Sequence, residues 1–384
     1  GILPAEVTGN LFPDEGCDVI TTVNYDISEI TYNALNEQLK RVKGGKGCAI
    51  VMEVETGDVK AMINLQRRRN GDTVYTEQTN LAYAYAYEPG SVFKLASFLV
   101  ALKDGYIDLD REMSIGRGVM EFPGKVVRDS HTYPEEQVWS MRKIFAHSSN
   151  VGAAKVIYNN YKDNPQKFVD GLNSLHVGDY IETDILSSAR SRVKGTDSKE
   201  WWRTSLYQMA QGYEVMITPI NLTMLYNAVA NDGVMMKPRY VKALRDKEYD
   251  EIEYLDVEVV DTICSLEVAQ KAQELLREVV VAGTATRAFK NAPYNFSGKT
   301  GTAQIKAEKV YSATFIGYFP AENPKYTIYV MLTDLYHEYY ASTVAAPVAR
   351  TIADKLYAID KSFFKTITVD STKKTIDEII CNLN

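Results

Sequence analysis

A serine and a lysine three residues apart, Ser91 and Lys94, stand where the Pro89-Gly90 turn runs into the apolar, helix-favouring segment 95–102. At the head of a helix the backbone N–H groups are unpaired and the dipole is positive, so negative charge developing on a substrate is stabilised there. Helical spacing puts the Lys94 amine on the same face as the Ser91 hydroxyl. Desolvation by neighbours such as Phe93 and Phe98 lowers a lysine pKa and leaves a neutral amine able to act as a base. The chemistry this predicts is nucleophilic catalysis, with Ser91 as nucleophile and Lys94 as its activator. The spacing alone discriminates little. Ser-x-x-Lys recurs at Ser140/Lys143, Ser191/Lys194, Ser362/Lys365 and Ser371/Lys374. What singles out Ser91 is a turn leading into an apolar helix, a setting that Ser371 and the surroundings of Ser191 lack.

Two further motifs follow in order. Ser148-Ser149-Asn150 is the one Ser-x-Asn in the chain, and Lys299-Thr300-Gly301, running on into Thr302, is the one Lys-Thr-Gly. Ser148 can pass a proton between the lysines and a leaving amine, and Asn150 carries both a donor and an acceptor for a substrate amide. At the start of a strand, Gly301 would let a ligand approach the backbone while the strand edge pairs with an extended peptide. Lys299 and the hydroxyls of Thr300 and Thr302 would then form a cationic, hydrogen-bonding pocket for a terminal carboxylate. The backbone N–H groups of Ser91 and Thr302 are the candidates for an oxyanion hole. Singly, the first motif reads as a polar helix break and the second equally as the start of a hairpin. Their joint occurrence in this order is hard to attribute to accident.

The elements that must hold these segments are legible in outline. Residues 19–23 read as a short strand, and Asp26 as the cap of a helix with Ile27, Ile30, Ala34, Leu35 and Leu39 on one face. Gly44-Gly45-Lys46-Gly47 ends that helix. Residues 48–54 and 58–63 form a hairpin across Glu55-Thr56-Gly57. The stretch 64–77 reads as loop and 108–134 as irregular. Helices are expected over 139–158, interrupted at Ser148, and over 201–212, 218–230, 266–281 and 344–357. Three strands are expected over 298–305, 312–319 and 326–333. Strands near both ends with helices between them predict an α+β fold whose antiparallel sheet is built from both ends of the domain.

Composition narrows the function classes. The chain has 384 residues, 45% of them apolar, enough for a substantial core. A net charge of −7 argues against a nucleic-acid binder, and the densest basic run, Arg67-Arg68-Arg69, reads as an exposed loop before Asn70-Gly71-Asp72. Cys17, Cys48, Cys264 and Cys381 form no Cys-x-x-Cys pair, and the four histidines show no metal spacing, so neither a metal site nor a cofactor is expected. His147 stands closest to the candidate chemistry and reads as a structural or surface histidine. No apolar run approaches the length of a membrane span, and the start at Gly1-Ile2-Leu3-Pro4 reads as a fragment of something longer.

The three motifs together are the signature of penicillin-binding proteins and class A β-lactamases. From about Asp18 to Leu356 the chain resembles the transpeptidase domain of a class B penicillin-binding protein. Further matches are Glu88-Pro89-Gly90, Thr56-Gly57, Gln211-Gly212 with Thr218-Pro219, Ala230-Asn231-Asp232-Gly233, Gly317 and Ala345-Ala346-Pro347-Val348. Leu81 after Asn80 and the lead-in Tyr213-Glu214-Val215-Met216 depart from the pattern. The resemblance implies an antiparallel sheet with helices on both faces and an all-α subdomain. It implies a transpeptidase domain over 19–360, preceded by the remnant of a link (1–18) to a pedestal and membrane anchor and followed by a tail (361–384). It also implies D,D-transpeptidation of peptidoglycan stem peptides ending in D-Ala-D-Ala, through acylation of Ser91, and inhibition by β-lactams. Such a domain works outside the cytoplasmic membrane, with a membrane glycosyltransferase and division proteins as partners. Asn150 followed by Val151-Gly152 is similar to the septal branch.

Three other readings share the motifs. A class A β-lactamase needs a deacylating Glu in Glu-x-x-Leu-Asn, and ahead of the three Leu-Asn pairs that position holds Tyr32, Val169 and Ile380. A carboxypeptidase or a β-lactam-sensing receptor domain would carry the same local motifs.

Overall fold

The computed structural model describes residues 16–363, except 69–72, 184, 186–188, 247–249 and 307–308. The expected link and tail lie almost wholly outside the described residues. The frame is a six-stranded antiparallel sheet of β1 (Lys46–Glu53), β2 (Val59–Arg67), β3 (Tyr75–Thr76), β4 (Ser297–Lys306), β5 (Val310–Phe319) and β6 (Tyr326–Leu335). Its strand order is β4-β5-β6-β1-β2-β3, so the two ends of the domain meet at the β6–β1 pair, with Val330 opposite Ala49. β4 is an edge strand, paired on one side only.

Helices cover both faces, as expected. α1 (Tyr25–Val42) and α7 (Ala346–Ile359) lie together on one, while α5 (Pro219–Ala230) and α6 (Leu266–Val281) lie on the other. With both faces covered the central strands are apolar throughout: Cys48-Ala49-Ile50-Val51-Met52 is fully buried, and so is Ile328 to Leu332. All twelve residues of α5 are buried, and its three polar side chains among them, Asn221, Thr223 and Asn227, each donate to a backbone carbonyl. α1 is capped by Asn24, whose Oδ1 accepts from Ile27 N at 3.0 Å; Asp26, the expected cap, sits within the first turn, where its charge faces the dipole.

The region between the two halves of the sheet holds more strand than its sequence shows. The expected irregular stretch contains Glu112–Gly116, paired with Gln137–Ser140, and a ribbon of Val119–Phe122 with Lys125–Arg128. Arg192–Val193 pairs with Val215–Met216. The expected all-α subdomain is therefore helical with three small ribbons. Trp139 belongs to one of these strands, not to the following helix: Val138 is exposed and Trp139 buried, an alternation of period two. α3 (Met141–Ala146) begins only after Ser140, whose Oγ accepts from Lys143 N. The helix expected over 201–212 shrinks to Ser205–Met209, and the 64–77 loop gives its first residues to β2 and two more to β3. Strands of two to five residues leave too few side chains for a period to be read.

Gly298 and Gly317 face each other across β4 and β5. A Cβ on Gly317 would lie 2.1 Å from Ser297 O and 2.6 Å from Gly298 Cα, so the pair lets the two backbones close up beneath Phe296 and Phe315. Gly317→Ala is expected to lower the unfolding free energy by about 1–3 kcal/mol, as overpacked cores do. Urea denaturation measures it, and an unchanged midpoint would contradict the account.

Candidate active site

Ser91 lies one turn earlier than a helix start. It sits in a 3-10 turn, Gly90–Phe93, and α2 (Lys94–Lys103) begins at the lysine. The turn is held on three sides. Gly90 N–H donates to Gly212 O at 3.1 Å, and the buried Tyr226 hydroxyl of α5 donates to Val92 O at 2.7 Å. On the third side is β4, where a Cβ on Gly301 would meet Val92 Cγ1 at 2.9 Å and Val92 N at 3.1 Å. The missing side chain of Gly301 thus lets β4 press against the serine turn, a packing reason for the glycine beside the expected one.

The Lys94 amine is buried. Its Nζ donates to Ser148 O at 2.6 Å, to Asn150 Oδ1 at 2.7 Å and to Ser148 Oγ at 3.2 Å. Ser148 offers its carbonyl by adopting φ +56°, a left-handed conformation uncommon for a serine. Asn150 opens α4 (Asn150–Tyr161) behind the Ser149 N-cap, and its Nδ2 donates to Arg128 O at 2.9 Å. Since the Arg128 carbonyl can only accept, the orientation of that amide is determined. Each end of it keeps one further valence for a substrate amide.

Burial drives the Lys94 pKa down to about 7, against the opposing pull of the Asp129 carboxylate. Lys299, wholly buried in β4, is depressed well below the ordinary lysine value by burial and by the charge of Lys94; its Nζ donates to Thr300 O at 3.0 Å. The Thr300 hydroxyl bonds that of Thr284 at 2.5 Å, and Thr302 Oγ1 accepts from Ala341 N at 3.0 Å. Ser91, Ser148, Asn150, Thr300 and Thr302 open onto one cleft of about 360 Å³, a size suited to a small ligand. The lysines lie buried and Gly301 lies behind.

Some groups here carried no sequence signal. Thr284 and Tyr340 join the cleft wall. Tyr226 and Asp129 act from outside it. None belongs to a motif, and only their contacts across the fold reveal them.

A buried lysine whose pKa falls on folding costs stability wherever the unfolded chain keeps its proton. The cost is present at neutral pH and fades as pH rises towards about 10.4, the unfolded value. Lys299→Met is thus expected to raise the unfolding free energy, and to raise it more at pH 7 than near pH 10. Urea titrations at both values test this, and an equal gain would contradict it.

The sequence model of the penicillin binding protein transpeptidase domain matches residues 47–354. Among curated proteins, the chain is 25% identical over 357 residues to a probable peptidoglycan D,D-transpeptidase of Neisseria flavescens, covering 89% of this chain and 83% of that one. It is 28% identical over 343 residues to a penicillin-binding protein of Mycobacterium tuberculosis, covering 83% of this chain and 48% of the other. The chain thus spans from about half to five-sixths of the length of these two relatives. Among solved structures, penicillin-binding protein 3 of Mycobacterium tuberculosis in complex with aztreonam superposes with a TM-score of 0.78 at 26% identity, over 89% of this chain and 79% of that one. The transpeptidase domain of Burkholderia pseudomallei penicillin-binding protein 3 shares the fold, with a TM-score of 0.74 at 23% identity over 88% and 96%. The three motifs around one cleft and a family match over most of its length lead to one conclusion: the chain belongs to the penicillin-binding-protein transpeptidase domain family.

Proposed function

We propose that the protein is a serine D,D-transpeptidase that cross-links peptidoglycan stem peptides, and that β-lactams inhibit it by acylating the same serine. The observation that carries this reading is a buried Lys94 amine with a pKa of about 7, one turn from Ser91 and bonded to Ser148 and Asn150. At neutral pH a large fraction of that amine is free to accept a proton. The stem peptide lies along the open edge of β4, with its terminal carboxylate at Thr300 and Thr302, the Lys299 amine behind them and its amide at Asn150. Ser91 Oγ gives its proton to Lys94 and bonds the carbonyl carbon of the penultimate D-Ala. The carbonyl electron pair moves to oxygen, where the N–H groups of Ser91 and Thr302 receive it. Collapse of this intermediate breaks the peptide bond, and the departing D-Ala nitrogen takes the proton through Ser148. An amine of a second strand then attacks the ester, loses a proton by the same route and releases Ser91.

Transfer to an amine is favoured over hydrolysis by what lines the cleft. Among the described residues that wall contains no Asp or Glu to activate a water. Tyr32 and Val169 stand in helices where a deacylating glutamate would have to stand, and the third such position, Ile380, lies outside the described residues. A septal role, with a membrane glycosyltransferase and division proteins as partners, is supported by Asn150-Val151-Gly152. The same reading places the domain outside the cytoplasmic membrane on an anchored protein. No helix among the described residues is long and apolar enough to cross a membrane.

Intact-mass spectrometry after incubation with benzylpenicillin tests the reading. Wild type is expected to gain one persistent adduct and Ser91→Ala none. Rapid drug loss without an adduct would indicate a β-lactamase, and neither adduct nor drug loss by a folded protein would sink the assignment. The acylation rate is expected to rise with pH through about 7, as Lys94 releases its proton. Lys94→Arg should slow acylation by about 10²–10⁴-fold and remove that rise.

A further inference from the structure

Asp129 belongs to none of the three motifs, yet it reaches the second of them by two bonds. Its Oδ2 accepts from Ser149 Oγ at 2.8 Å and its Oδ1 from Val151 N at 2.9 Å. Ser149 Oγ in turn accepts from Gly152 N at 2.9 Å, so hydroxyl and carboxylate together satisfy two free N–H groups in the first turn of α4. The preceding carbonyl, of Arg128, takes the Asn150 Nδ2 bond. Asp129 is itself tied down, its N–H donating to Gly118 O at 2.8 Å. Residues 128 and 129 thus grip 149, 150 and 151, while Lys94 grips 148 and 150.

This grip has a task. Ser148 holds φ at +56°, and a non-glycine residue stays there only where its surroundings over-determine it. The Ser148 carbonyl and hydroxyl and the Asn150 amide oxygen are the polar partners of the Lys94 amine, so a turn that loosens takes them away together.

Charge points the same way. The titratable and charged groups facing this centre are few. Lys299 of β4 lies near Lys94 and is depressed by burial and by that lysine. Tyr133, in the loop after Asp129, is raised by burial and by the Asp129 carboxylate. His147, at the end of α3, is held down by burial and Lys143. Arg128 and His131 flank Asp129 in the chain and are exposed. Asp129 is the carboxylate that acts on Lys94.

We propose that Asp129 is a positioning residue for acylation of Ser91, bracing the Ser148–Asn150 turn against Lys94 and stabilising the ammonium formed there. The proposal rests on the reading of Ser91 as nucleophile and Lys94 as its base. In that step the Ser91 O–H bond breaks and the proton passes to Lys94 Nζ. Oγ bonds the carbonyl carbon while the π pair moves to oxygen. One positive charge appears at Lys94, within the field of Asp129, and one negative charge at the oxyanion.

The test is the rate of benzylpenicillin adduct formation between pH 5 and 9, on wild type, Asp129→Asn and Ser149→Ala, with folding followed by near-ultraviolet circular dichroism. Asp129→Asn keeps the acceptor for Val151 N but removes the charge. Its acid limb is expected to move to lower pH by about one unit, with a plateau about tenfold lower. Ser149→Ala keeps the charge and loses one bond, so its plateau should fall by about threefold or more with the acid limb in place. A purely structural aspartate would lower the rate equally at every pH. An Asp129→Asn profile with the wild-type acid limb, or with an undiminished plateau, overturns the proposal. If Asp129→Asn does not fold, an undiminished Ser149→Ala plateau overturns it. A wild type that forms no Ser91 adduct at any pH overturns the underlying reading and this inference with it.

Discussion

An amine with almost no water around it is the constraint on which the site depends. Lys94 is carried into the interior by the apolar helix that follows it, and a buried ammonium without partners costs several kcal/mol. Its partners cannot come from its own helix, whose carbonyls are already used. They come from a turn more than fifty residues away, at Ser148 and Asn150. The second buried lysine, Lys299, arrives on the edge strand and makes simultaneous protonation of both amines unfavourable. A near-neutral base is therefore a consequence of burying Lys94, with the Asp129 carboxylate pulling the other way.

Close backbone approach does the rest. The serine turn is squeezed between β4 and the segment at Gly212, where a Cβ would lie 2.1 Å from Gly90 O. Gly301 admits the same turn from the strand side. With Tyr226 holding Val92 O from α5, the nucleophile is set relative to three elements that are themselves buried and stiff. Holding reacting groups in place before the substrate arrives removes entropy from the barrier. The cleft has rigid walls on those sides, while the edge of β4 remains open for an extended peptide.

The long, strongly periodic segments were legible in the residues. The helix over 266–281 begins and ends where its pattern predicts, and the three C-terminal strands differ from expectation by two residues or fewer at either end. The short ribbons over 112–140 were not, because four residues with a Pro-Gly or glycine turn look the same whether paired or free. Trp139 illustrates the limit: its aromatic bulk fits either period, and only pairing with Met113 decides. The site residues were legible by type and spacing, but not their division of labour. Gly301 also serves packing against Val92, and the Thr300 and Thr302 hydroxyls have protein partners, which spacing does not show.

The sequence by itself determined the family, the order of the three motifs, the nucleophile and base as a candidate pair, and the outline of the sheet. All of these rest on local spacing, which a chain carries whether folded or not. Only the tertiary structure decided that Lys94 is desolvated, that its amine bonds the Ser148 turn, and that Asp129, Thr284 and Tyr226 stand around the site. Those facts depend on contacts between residues from about 16 to over 130 positions apart. Such contacts follow from how buried surfaces fit together, and no short-range pattern encodes that fit.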